Sequence, residues 1–593
     1  MVAGFPRGAT QDDIDLPWPF RRSSSNAVFH PVTDCVVSCP GRDSNERGDM
    51  PVSTLGLRYR QSMTSNERWT PATQVVSVGR GGRELGIVSW FLQSAVVQTS
   101  RLWAGGITVL LVIACTPTDK GSRSAQSEAP SATFVPSEDD LVGLGDPIVP
   151  SAGNPGYDAR RYVWDLEVNP ESNSLTARAS MHALALESLD RVTLDFSGPR
   201  VTGVRINGEV VEYARADGKL VVNGSVAESE RFEIEVDYAG TPEPIRVPAS
   251  PPRGWLAEPG AIRTFSLLPG DAAGWAPLND TPLDPADYTL RITVPDPFVA
   301  TASGTLVETL ERENGKTFVW RVDLPVTEVT FAVGEYRTDR LTGPSGLPID
   351  IAFPTDATVA DIPSLKQLPN MLAFLRARLG PFPFPSLGLT WVRLFGGGGD
   401  STPGRINLSD VQEIVVVHEL AHQWMGGSVG NASTQDAWLR EGLPTYVEVL
   451  WTARREGAQA GESLIEDFRR QLGPSTRPPL DVDDLADRSD DATFLRGALV
   501  MHALKLEVGE RAFFRALKGF FKSYRGKSAS TKDFIETVER VVGRDLQGFF
   551  AAWLSREPVP QSRNSLSGLG HLGLSPMPHS LLFVPPAVCD STG

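Results

Sequence analysis

A chain of 593 residues is too long for a single hydrophobic core and predicts two or three domains. Its 41% hydrophobic and 22% charged residues are those of an ordinary globular protein, and a net charge of −16 argues against nucleic-acid binding, which needs clustered Lys and Arg for phosphate contacts. Of the four cysteines, Cys35, Cys39, Cys115 and Cys589, none lies between 116 and 588, so the folded body has neither a disulfide nor a thiolate metal site. Cys35 and Cys39 are spaced CxxxC without a second pair and read as unordered thiols.

Residues 1–95 are rich in Arg, Ser, Gly and Pro and carry no sustained period, which reads as a disordered or mis-assigned upstream extension. Within residues 96–115, Arg101 is followed by the apolar run 107–114 and then Cys115. That order is a secretory signal's, and the run is too short to cross a bilayer as a mature helix. The ending Val112-Ile113-Ala114-Cys115 resembles the lipobox of bacterial lipoproteins. The resemblance implies lipidation at Cys115, membrane attachment through a lipid anchor, and a place on the outer face of a bacterial cytoplasmic membrane, or secretion; a buried strand is the alternative. A signal here is expected to go with a translation start near Val96 or Val97. Residues 116–154, rich in Ser, Pro, Ala and Gly, read as a flexible tether.

From Tyr157 the pattern changes to short alternating segments, such as 161–168, 191–196 and 201–206, with Asn207-Gly208 as a hairpin turn. Residues 155–342 are expected to form an antiparallel β-domain. Helical spacing follows near 361–379, and residues 388–392 read as a strand. Gly396 to Gly399 lack the following Lys-Ser/Thr of a phosphate cradle and fit an active-site edge strand and loop.

The chemistry gathers at His418-Glu419-Leu420-Ala421-His422, followed after eighteen residues by Glu441. Two histidines four apart lie on one helix face and can share one metal, while Glu419 can take a proton from water at the open position. Glu441, in Trp438-Leu439-Arg440-Glu441-Gly442, offers a third ligand from the next helix. Two His and one Glu, with a place left for water, suit a catalytic Zn2+, although cobalt or manganese would also be accepted. With only seven histidines in the chain, a chance pairing at this spacing is a poor explanation. Pro444 predicts a kink or break just after the third ligand. Helical periods then occupy 446–455, 464–472, 494–508, 513–524 and 531–542, with 549–554 closing the body, and His502 reads as a packing residue. Residues 558–593 are expected to be a disordered tail in which His571 and His579 are solvated.

Read as HELAHQW, then Met425-Gly426-Gly427, then WLREG, this stretch resembles the aminopeptidase N family of gluzincin metallopeptidases. Trp275-Ala276-Pro277-Leu278-Asn279-Asp280 is similar to that family's W-F-P-x-x-D segment, so the resemblance covers roughly 157–556. It implies an α+β multidomain fold: a β-domain, then a mainly helical thermolysin-like zinc metallopeptidase domain at 343–557. It also implies His418, His422 and Glu441 as zinc ligands, Glu419 as general base, a peptide substrate, and aminopeptidase-type release of N-terminal residues.

The chain departs from the family pattern in three places. Asp400 stands nearest to the glutamate that holds the substrate's amino terminus. Ser266 and Leu268 stand where relatives have Gln or Glu. Phe494 replaces the tyrosine that donates to the oxyanion, a role that Tyr446 could take over in space. A catalytically impaired zinc- and peptide-binding homologue, and a surface-anchored binding protein, are therefore the alternatives.

Overall fold

The alternation read from Tyr157 onward builds two-sided strands. In Tyr157–Asn169, Trp164, Leu166 and Val168 point inward while Asp165 and Glu167 face solvent. The structure, a computed structural model, describes residues 134–246, 252–266, 269–358, 363–392, 398–473 and 492–555. The upstream extension, the signal with Cys115, the first part of the tether, Leu268, Gly396 and Gly397, and the tail from 558 lie outside the described residues.

Eight strands form the main sheet of the β-domain, in the order Thr305–Arg312, Gly315–Val326, Ala286–Pro295, Tyr157–Asn169, Ser174–Ala185, Arg231–Gly240, Arg200–Ile206, Glu209–Val210. Its pairings are antiparallel with one exception: Tyr157–Asn169 runs parallel to Ala286–Pro295. A long stretch of chain separates these two strands, which gives the crossover that a parallel pair requires and that a hairpin reading cannot anticipate. A five-stranded and a three-stranded sheet complete the domain. Trp275, from the segment singled out in the sequence, is a core residue packed edge-on against Trp164 and Phe331.

Two expected boundaries move. The strand Tyr336–Thr342, included in the expected β-domain, pairs with Pro348–Pro354 and opens the sheet of the second domain. The two hydrophobic cores agree, one closing at Val333 and the other taking in Leu341 and Ile349 onward. The second half of the expected tether, from Phe134, is packed rather than loose. Asp146 accepts from the Thr434 hydroxyl (2.6 Å) and amide (3.0 Å), and Asn154 is buried with its Nδ2 on Asp195 (2.9 Å). Composition reads as flexible there because these partners are far away in the sequence.

The second domain has a five-stranded sheet ordered Tyr336–Thr342, Pro348–Pro354, Leu387–Trp391, Arg405–Leu408, Gly399–Thr402. Among the described residues its α-helices are α1 (Leu368–Leu379), α2 (Glu413–His422), α3 (Ala437–Glu456), α4 (Ala458–Leu472), α5 (Gly497–Val508), α6 (Glu510–Tyr524), α7 (Thr531–Val542) and α8 (Gln547–Leu554). Of the kink or break expected here, the break does not occur: α3 continues through Pro444. A proline inside a helix costs about 3 kcal/mol or more. Leu443 and Val447 beside it are fully buried in the core, and burial of such side chains contributes about 1.5–3 kcal/mol each, so packing outweighs the lost hydrogen bond.

The β-domain meets the edge of this sheet through a polar seam. Thr402 Oγ1 bonds to the hydroxyls of Ser303 (2.8 Å) and Thr330 (3.1 Å), and Arg405 Nε donates to the Ala302 carbonyl (3.0 Å).

Candidate metal centre and active site

α2 is apolar from Ile414 to Val417 and buried from Val415 to its end, so its last turn carries His418, Glu419 and His422 into the interior. The i, i+4 spacing puts both imidazoles on one face, and their Nε2 atoms lie 3.2 Å apart. After His422 the chain reverses at Gly426, whose φ of +107° suits glycine alone, and Gly427 N caps the His422 carbonyl at 2.8 Å. The tryptophans flanking the motif are fully buried pegs. Trp424 Nε1 donates to the Pro381 carbonyl (3.1 Å), and Trp438 Nε1 to the Thr531 hydroxyl (2.9 Å).

α3 crosses α2 and delivers Glu441. Its Oε2 lies 3.2 Å from His422 Nε2 and 3.7 Å from His418 Nε2. Gly442 explains this close packing. A Cβ there would sit 2.5 Å from the backbone of Gly497, so the two glycines let α3 and the start of α5 touch backbone to backbone. That contact also brings the single π turn at Ala492–Arg496 over the site, with the Phe494 ring stacked on His418 (centroids 6.2 Å, 21° between planes).

His418, His422 and Glu441 thus converge, with one possible ligand atom from each inside a 4.8 Å cluster. In a tetrahedral site with bonds of 2.0–2.1 Å, ligand atoms stand about 3.3–3.4 Å apart. The observed 3.2, 3.2 and 3.7 Å fit such an ion. Both Nε2 atoms are freed for it because the Nδ1 atoms are engaged elsewhere. His418 Nδ1 meets Glu448 Oε1 at 2.7 Å, and His422 Nδ1 meets the Met425 carbonyl at 3.1 Å. Donation from Nδ1 is the arrangement that orients histidines toward metals.

The electrostatics agree. Burial would push His418 down, but the Glu441 and Glu448 carboxylates outweigh it and hold its pKa at about 10. Burial lowers that of His422. Burial opposes ionisation of Glu441, yet the two histidines and Arg440 keep it well below the usual carboxylate range. Glu419 is raised to about 7, mainly by burial and further by Glu441, against the pull of His418, Arg440 and Arg263. Gly399 leaves room for this carboxylate, since a Cβ there would lie 2.8 Å from Glu419 Cγ.

Asp400 falls differently. Along Gly399–Thr402 the side chains alternate, so Ser401 faces α2 and bonds to Gln423 (2.6 Å) while Asp400 and Thr402 face the β-domain. There Asp400 forms a buried ion pair with Arg263 and accepts from Asn407 Nδ2 (3.1 Å). Ser266 is also engaged, its hydroxyl donating to the Val329 carbonyl at 2.6 Å. Tyr446 points away from the metal cluster, its hydroxyl 3.5 Å from His502 Nδ1, so it does not stand in for the missing tyrosine. Residue 446 lies five positions beyond Glu441, which turns it off the site face of α3.

Three comparisons bear on this geometry. Residues 403–553 match the model of the peptidase family M1 domain. The crystal structure of an M1 zinc metallopeptidase from Deinococcus radiodurans is 30% identical with a TM-score of 0.64, and the match covers 71% of this chain and 99% of that one. The chain belongs to peptidase family M1. Another M1 structure from that organism, of a mutant, holds a Tyr-Ser-Ala substrate. Aminopeptidase N of Streptomyces lividans is 29% identical over 199 residues, and the leucyl aminopeptidase of Saccharolobus solfataricus 22% over 409. This M1 chain spans 23% and 51% of the lengths of those two enzymes, against 99% of the Deinococcus structure.

Sequence reasoning missed Glu448, the partnership of Arg440 with Glu328, and the pairing of Arg263 with Asp400. Only Glu448 left a signal: seven residues beyond Glu441 is two helical turns, hence the same face of α3.

Proposed function

We propose that this M1 chain is a zinc-dependent metallopeptidase that hydrolyses peptide bonds, releasing residues from peptide N-termini. The observation that carries it is the convergence of His418, His422 and Glu441 beside a buried carboxylate, Glu419, held near neutrality. Zinc bound there would polarise a carbonyl oxygen and acidify water. Glu419 would take the proton of the attacking water and deliver it to the leaving amine, a transfer that works best with a pKa near ambient pH. The buried Nδ1 partners keep both imidazoles in one tautomer and orientation throughout.

Two observations shape the activity. Phe494 places a ring without a hydroxyl on His418, so the phenolic donor to the oxyanion is absent. Losing one such donor typically costs about 10²–10³ in rate. With the Asp400 carboxylate committed to Arg263 and Asn407, a second reading is favoured beside the first: cleavage that does not need a free amino terminus.

A short peptide series with free or acetylated N-termini, run against Glu419→Gln, separates these readings. Glu419-dependent cleavage of free amines alone supports the aminopeptidase. Equal cleavage of both supports anchor-free hydrolysis. Silence with zinc bound would make the chain a zinc- and peptide-binding homologue, and absence of zinc would overturn the proposal.

For location, we propose a lipid anchor at Cys115, supported by the apolar run and the small residue Ala114 before it. Mass spectrometry of the mature N-terminal peptide tests this, and an unmodified Cys115 refutes it.

A further inference from the structure

Arg440 immediately precedes the third ligand in the first turn of α3, where the helix dipole disfavours a cation. It is nonetheless buried, and it reaches two carboxylates at once. Its Nη1 lies 2.9 Å from Glu328 Oε1 and its Nε 3.4 Å from Glu441 Oε1. The other Glu441 oxygen, Oε2, faces the histidines. Glu328 comes from the β-domain, in the connection between Gly315–Val326 and Phe331–Gly334 that is tied down by Ser266 on Val329 and by Ser303 and Thr402 on Thr330. The space for the guanidinium is built in: a Cβ at Gly426 would lie 3.0 Å from Arg440 Cζ.

We propose that Arg440, held by Glu328, is a positioning residue that fixes the rotation of the Glu441 carboxylate, presenting one oxygen to the metal and making the ligand set depend on the seating of the β-domain. A planar guanidinium holds two carboxylates in a fixed relative orientation, which an ammonium with three rotatable donors on a flexible stem does not impose. Partners that orient a ligand typically contribute 10- to 100-fold in metal affinity. The inference rests on the zinc reading of the site but not on peptidase activity.

The test uses full-length protein and the variants Glu328→Gln, Arg440→Gln and Arg440→Lys, with zinc affinity from chelator competition, kcat and KM, and unfolding of the zinc-stripped protein. Expected are a loss of about tenfold or more in zinc affinity for Glu328→Gln and Arg440→Gln, a fall in kcat with KM within about twofold, and no rescue by Lys. Variants that lose stability when zinc-stripped but bind zinc like the wild type would reduce the bridge to a structural contact and overturn the inference. Rescue by Lys would overturn the fork geometry. A wild-type chain that binds no zinc would sink the reading of the site itself, whereas one that binds zinc and hydrolyses nothing would leave the inference to be decided by the affinities.

Discussion

Replacing Glu448 with alanine is expected to weaken zinc binding without touching a ligand. The His418 Nδ1 to Glu448 Oε1 contact is 2.7 Å long between side chains 2% and 4% exposed, so water cannot readily replace it. A hydrogen bond to a charged group contributes about 1.5–3 kcal/mol. Orienting partners of metal-bound histidines contribute about 10- to 100-fold in affinity, or about 1.4–2.7 kcal/mol, and the two figures coincide. Glu448→Gln keeps an acceptor oxygen and removes only the charge, so its loss should be smaller than that of Glu448→Ala. Competition with a fluorescent chelator at neutral pH measures both, with circular dichroism to show that the variants are folded. A folded Glu448→Ala protein with wild-type zinc affinity would refute the claim that this carboxylate orients His418.

Phe494→Tyr is expected to raise kcat, by up to about 10²–10³ if the added hydroxyl reaches the oxyanion; an unchanged kcat means another donor already serves. In the zinc-free protein His418 keeps its proton up to about pH 10, so zinc must displace it and apparent affinity should climb about tenfold per pH unit from 7 to 9. A flat profile would contradict that. Because this folded pKa lies above the ordinary 6.5, the same group stabilises the zinc-free fold fully below pH 6.5, and the contribution is lost as pH rises towards 10. Gly442→Ala forces a methyl into the Gly497 backbone and is expected to destabilise by about 1–3 kcal/mol, read as a lowered Tm together with a loss of zinc affinity as α3 shifts.

What the sequence alone determined about this protein is whatever chemistry local geometry encodes. His418 and His422 share a face because a helix turns once in 3.6 residues, and the strands from Tyr157 have an inside because side chains alternate. The catalytic helices were legible in the same way. Tertiary structure alone decided which distant groups meet. Asp400 looked like an anchor until strand alternation turned it towards Arg263, and Tyr446 looked available until its place on α3 turned it towards His502. Pro444 stayed helical because the core around it outweighs one hydrogen bond. Asp146 and Asn154 found buried partners that composition could not announce. The Arg440–Glu328 bridge joins residues more than a hundred positions apart, across two domains. Local periodicity carries no information about such pairs, because they are selected by the desolvation cost of leaving either buried charge without the other.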